Sequence, residues 1–154
     1  MRDLIEKSVI DKFSFQLGMI NCFAEMVACG VKKLAISPPL LPSQYETIAP
    51  YSEKIVEGFA IESYLENSLL ITLLQSPEFT RGKCSILYYK SGSILETYLE
   101  LKARQASLVE SGRYDVQSRE EISIAFMELL TYPPEVIEAK LAGSHPDPFL
   151  IIEP

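Results

Sequence analysis

Cys22, Glu25 and Cys29, with Asn21 beside the first thiol, are the residues whose types and spacing come nearest to a reactive site in this chain. On a helix, Ser14, Gly18, Asn21, Glu25, Ala28 and Lys32 fall on one narrow stripe, and the two cysteines border it. Two thiols, an amide and a carboxylate lining one cleft could hold a polar ligand or support thiol or carboxylate chemistry. An ionised Glu in a core needs a partner, so Glu25 is expected to be at least half-buried against Asn21, Lys32 or a cation from another segment.

Thiol catalysis normally needs a base that lowers the thiol pKa, most often His. The single histidine, His145, stands in a Pro-rich tail, and no spacing ties it to either cysteine. Three Cys and one His could make a tetrahedral zinc set, yet structural sites use close pairs that share a turn. Cys22 and Cys29 are separated by about 10 Å along a helix axis at 1.5 Å per residue, so neither a metal nor another cofactor is expected.

A second set of candidates could take an anion. Ser37, the Pro38-Pro39 loop and Ser43 form a strand-to-helix connection, where open α/β sheets collect ligands and a helix start favours negative charge. Pro replaces the Gly of a phosphate loop here, and neither G-x-G-x-x-G nor G-x-x-x-x-G-K-[ST] occurs. Arg81 and Lys83 flank Gly82 in a further loop that could hold a carboxylate or phosphate. A small polar or anionic ligand is the class these residues would take.

These residues must be positioned by a recognisable series of elements. Residues 13–31 are almost continuously apolar and lack Pro, which predicts a long, mostly buried N-terminal helix stopped by Gly30. Residues 33–37 read as a strand, and Ser43 with Glu46 as a capping box. The helix it opens runs to about Glu57, with Gly58 as its stop and Pro50 as a kink or break. The segments 59–64, 69–74 and 83–89 read as strands, so that 34–64 would be a βαβ unit. The C-terminal third is helical: Ser93 with Glu96 and Ser118 with Glu121 read as capping boxes, and Pro134 opens a short helix ending near Gly143. The fold class expected is therefore α/β, a small mixed sheet with flanking helices, a buried N-terminal helix and a helical C-terminal third. The alternative is an all-α bundle in which 69–74 and 83–89 are helical.

At 154 residues the chain fits one domain, 1–154, with 144–154 as an extended Pro-rich tail. Its 47% hydrophobic content is enough for a core and excludes global disorder. With 14 basic against 21 acidic residues the net charge is −7, a field that repels nucleic acid and anionic lipid. The mixed-charge start MRDLIEKSVI is not a secretory signal, and the apolar window around Phe23 is too short to span a membrane. A cytoplasmic protein with three reduced thiols is expected.

No stretch names a reaction. The expectation is a non-catalytic module that binds a small ligand or another protein; the alternative is a small enzyme using a thiol or carboxylate on the first helix at Cys22, Glu25 or Cys29. The apolar circumference of that helix and the run Phe149-Leu-Ile-Ile152 further predict a homodimer, seamed by one or the other.

Overall fold

The structure is a computed structural model that describes residues 10–75 and 77–143. The tail, with His145 and the 149–152 run, lies outside the described residues. In chain order the elements are α1 (Lys12–Ala28), β1 (Leu34–Ile36), α2 (Pro42–Phe59), β2 (Glu62–Glu66), α3 (Pro77–Thr80), β3 (Ser85–Tyr89), α4 (Gly92–Glu110), α5 (Val116–Leu129) and α6 (Pro134–Leu141). The three strands stand in the order β1-β3-β2, and both ladders are antiparallel. β1 and β2 thus run in the same direction as the two ends of a βαβ crossover, and β3 fills the gap between them.

The strand pleat explains why β3 is the most continuously apolar segment. Leu87 and Tyr89 face a core with Leu34, Tyr98, Ile122 and Phe126, under α4 and α5. Ile86 and Tyr88 face the other way, into a core with Ile20, Ala24, Val27 and Ile48, under α1 and α2. Helices cover both faces, so every β3 residue is buried. The result is a small α/β fold in three layers, with no described helix long and apolar enough to cross a membrane.

Helix boundaries depart from the sequence reading where a different residue wins the cap. α1 is N-capped by Asp11, which accepts from Ser14 N at 2.9 Å, and it buries one face, Gln16, Ile20, Ala24 and Val27, rather than most of its circumference. α2 begins at Pro42, not after Ser43; the Gln44 amide oxygen accepts from Leu41 N at 2.7 Å, and no Ser43–Glu46 box forms. Pro50 sits inside this single helix, on its exposed side. Gly58 is not the stop either, because Ala60 adopts the left-handed conformation (φ 52°) and ends α2.

At α4, Ser91 takes the N-cap place and bonds Ser93 Oγ at 2.8 Å, so Ser93 and Glu96 form no box. The α5 box exists but one turn earlier: Asp115 accepts from Ser118 N at 2.8 Å, and Ser118 Oγ accepts from Asp115 N at 2.9 Å. Glu121 is thereby released to pair with Arg104. The break at Tyr132-Pro133 and the start at Pro134 are as the sequence predicts.

Segment 69–74 is neither strand nor helix. Side chains from the helices satisfy its backbone instead. Tyr98 Oη accepts from Leu70 N at 3.1 Å, Ser123 Oγ accepts from Leu73 N at 3.0 Å, and Gln105 Nε2 donates to Ile71 O at 2.7 Å. With its polar groups met this way, the loop can push Leu69 and Leu70 into the α4/α5 core.

Candidate functional site

The stripe on α1 faces outward. Asn21, Cys22, Glu25 and Cys29 are all exposed, which corrects the expected burial of Glu25: Ile20, Ala24 and Val27 turn toward the sheet and leave the carboxylate in water. Among the described residues neither Cys22 nor Cys29 has a hydrogen-bonding base beside it, and no group of His, Cys, Asp and Glu is arranged to hold a metal ion. Cys84, by contrast, is buried; its thiol donates to Leu40 O at 3.6 Å, and burial raises its pKa, so it stays protonated at neutral pH.

Ser37 is consumed by the fold. Its Oγ accepts from Ile86 N and donates to Pro38 O, both at 2.9 Å. Between the Ser37–Ile86 and Leu40–Cys84 pairings, Pro38 and Pro39 stand opposite Ser85 alone, a bulge on the sheet edge where neither proline is asked for an amide. The end of β1 is therefore closed by its own chain. Ser43 and Arg81 are exposed on the surface, while Lys83 is half-buried with its ammonium 5.7 Å from the Phe79 ring centre.

Of the candidates, Asn21 lines one concavity and Lys83 another. A groove of about 500 Å³ runs between α1 and α2. From α1 it is lined by Ser14, Leu17, Gly18 and Asn21, and from α2 by Tyr51, Lys54 and Ile55. Phe13 closes on Tyr51 edge to face, with centroids 5.3 Å apart. Half of the α1 stripe thus lies in this groove, opposite residues the sequence reading missed. Their only sequence signal is the spacing of Tyr51, Lys54 and Ile55, which puts all three on one helical face.

A Cβ placed on Gly18 would meet nothing within 4 Å. Packing therefore gives no reason for a glycine in mid-helix, where it costs roughly 0.5–1 kcal/mol relative to Ala. Gly18→Ala is expected to raise the unfolding free energy by that increment, read as a higher urea midpoint; a lower midpoint would show that α1 depends on the glycine.

The second concavity, about 300 Å³, brings Lys83 and Cys84 beside the first turns of α2 at Tyr45 and Glu46 and the end of β2 at Leu65 and Asn67. Of the anion candidates only Lys83 lines it, and Glu46 places a carboxylate in the same space.

The most connected polar cluster is one the sequence reading did not find. Glu66, 3% exposed, accepts from Tyr98 Oη at 2.8 Å, from Lys102 Nζ at 2.8 and 2.9 Å, and from Ser68 N at 2.8 Å. Lys102 also donates to Ser68 O at 2.8 Å. Burial pushes the Tyr98 hydroxyl far above the ordinary tyrosine range; the Leu70 amide opposes that shift and the Glu66 carboxylate adds to it. Every partner is satisfied within the cluster, which fastens the 67–75 loop to α4 and leaves no group free for a substrate.

Comparison of the chain with family models, curated proteins and solved structures gives no match. Any assignment of function therefore rests on the geometry just described.

Proposed function

We propose that the protein is a non-catalytic binding module whose site is the α1–α2 groove, and that its ligand is a small amphipathic carboxylate. One observation carries this: in a chain of net charge −7, the one charged residue among the described residues lining the groove is a cation, Lys54, set among Leu17, Tyr51 and Ile55 with the Asn21 amide across from it. An apolar wall with a few convergent polar groups, at a volume within the roughly 300–1,000 Å³ of small-molecule sites, suits an apolar body with an anionic head. The thiols of Cys22 and Cys29 lie outside the lining and have no role in this proposal. The same account has the chain working in the cytoplasm, away from nucleic acid, and as a homodimer through α1 or the tail. Sedimentation equilibrium at the mass of one chain would contradict the dimer alone.

Thermal unfolding with 3-phenylpropionate tests the ligand class. At about ten times Kd the ligand should stabilise the parent by about 1.4 kcal/mol, raising Tm by roughly 3–6 °C. Lys54→Glu should abolish the shift while folding normally, since Lys54 is exposed. The neutral 3-phenylpropionamide should act more weakly than the acid. Equal shifts for acid and amide, or for parent and variant, would contradict the proposed site.

A further inference from the structure

We propose that the open edge of β2 receives an extended, basic peptide from a partner protein as a fourth strand of the sheet. Among the described residues β2 pairs on one side only, with β3. The backbone groups that remain can be identified from the ladder. Ser37 N donates to Ile86 O, and Leu40 and Cys84 exchange both of their bonds, so the even-numbered residues of β3 address β1. By alternation Ser85, Leu87 and Tyr89 address β2, where their register partners are Glu66, Tyr64 and Glu62. The N–H and C=O groups of Ser63 and Leu65 consequently point away from the sheet. Glu62, Ser63 and Tyr64 are exposed, whereas the opposite edge is a three-residue strand in which Leu34 and Ala35 are wholly buried.

Natural edges are usually blunted by Lys, Pro or a bulge. The β1 edge has the Pro38-Pro39 bulge, but β2 runs through five unbroken pairs with no Lys and no Pro. What flanks it favours one kind of occupant. On the α2 face, the 300 Å³ concavity beside Leu65 and Tyr45 has room for one apolar side chain of an added strand. On the α4 face stand the Glu62 carboxylate and the exposed Tyr64 ring, which suit a Lys or Arg with its stem along the ring and its charge on the carboxylate. A second copy fits less well, because antiparallel pairing of β2 with itself about Tyr64 sets Glu62 opposite Glu66, between chains that each carry −7. Alternating apolar and basic residues complement both faces and the net charge.

The test uses the full chain and the peptide acetyl-VKVKVKV-amide, followed by amide-resolved NMR. The expected result is saturable binding with the largest shifts at Ser63, Tyr64 and Leu65. N-methylation of the alternate peptide residues that face the edge should weaken binding by about tenfold or more, since each methyl group removes a backbone hydrogen bond to the edge. Ser63→Pro removes an outward amide that the β2–β3 ladder does not use and should weaken binding similarly. Should that variant misfold, the N-methylated peptide still decides the matter on the parent protein. Equal affinity of the two peptides would reduce the contact to charge attraction and overturn the proposal. So would shifts confined to Gly18 and Lys54, or a two-chain mass that Ser63→Pro returns to one, which would assign the edge to a second copy.

Discussion

Lys102→Met should lower the unfolding free energy by about 3 kcal/mol, the low end of the cost of breaking a buried ion pair. Glu66 is 3% exposed and loses the only cation that pairs with it among the described residues, while the 29% exposure of the Lys102 side chain lets some water in. The carboxylate would keep Tyr98 Oη and Ser68 N but no counter-charge. The loss is large against a total stability of about 5–15 kcal/mol. Adding Glu66→Gln to the same chain should recover part of it, because a neutral amide needs no counter-charge; the cycle should give a coupling of about 1–3 kcal/mol. Urea unfolding of the four proteins checks this. An unchanged midpoint for Lys102→Met would mean that water replaces the ammonium and that the 67–75 loop is not held by it.

Alkaline pH should unfold the protein through Tyr88 and Tyr98. Both are fully buried. Burial pushes Tyr88 up to about 12, against a smaller opposing effect of its bond to Ser52 Oγ, and Tyr98 lies higher still. Below the unfolded value of about 10, both states hold both protons and stability is complete. Above it the unfolded chain loses protons that the folded chain keeps, so stability falls by about 1.4 kcal/mol per pH unit for each residue. From pH 10 to the folded pKa of Tyr88 the two together remove about 5 kcal/mol. Tyr88→Phe should reduce the slope in this range by about 1.4 kcal/mol per pH unit, at a cost of about 1–2 kcal/mol at neutral pH for leaving the Ser52 hydroxyl without Tyr88. Equal slopes for parent and variant would contradict the assignment.

What the sequence conveyed, and what it could not, follows from range. Gly30, Pro134 and Gly143 mark helix ends because they act on their own backbone, and each does so in the structure. Capping was legible as a tendency but not as a position: Asp115 displaced the Ser118–Glu121 match, Ser91 took the cap read for Ser93, and the Leu41–Gln44 bond took the place read for Ser43–Glu46. The 69–74 run was opaque because Tyr98, Gln105 and Ser123, which satisfy its backbone, are remote in sequence. The same distance hid Glu66 and Lys102 from each other. The α1 stripe was legible as a polar face, but whether it met the core or solvent depended on where α2 lay. Only the packing of α2 against α1 turned Ser14, Gly18 and Asn21 into one wall of a groove.

Amide-resolved NMR titration of the ¹⁵N-labelled chain with 3-phenylpropionate tests the α1–α2 site most directly. The account predicts saturable shifts concentrated at Leu17, Gly18, Asn21, Lys54 and Ile55, with a Kd at or below about 1 mM, and their loss in Lys54→Glu. Saturable shifts that fall elsewhere and leave these five amides unmoved, or none at all up to about ten times that concentration, would contradict it.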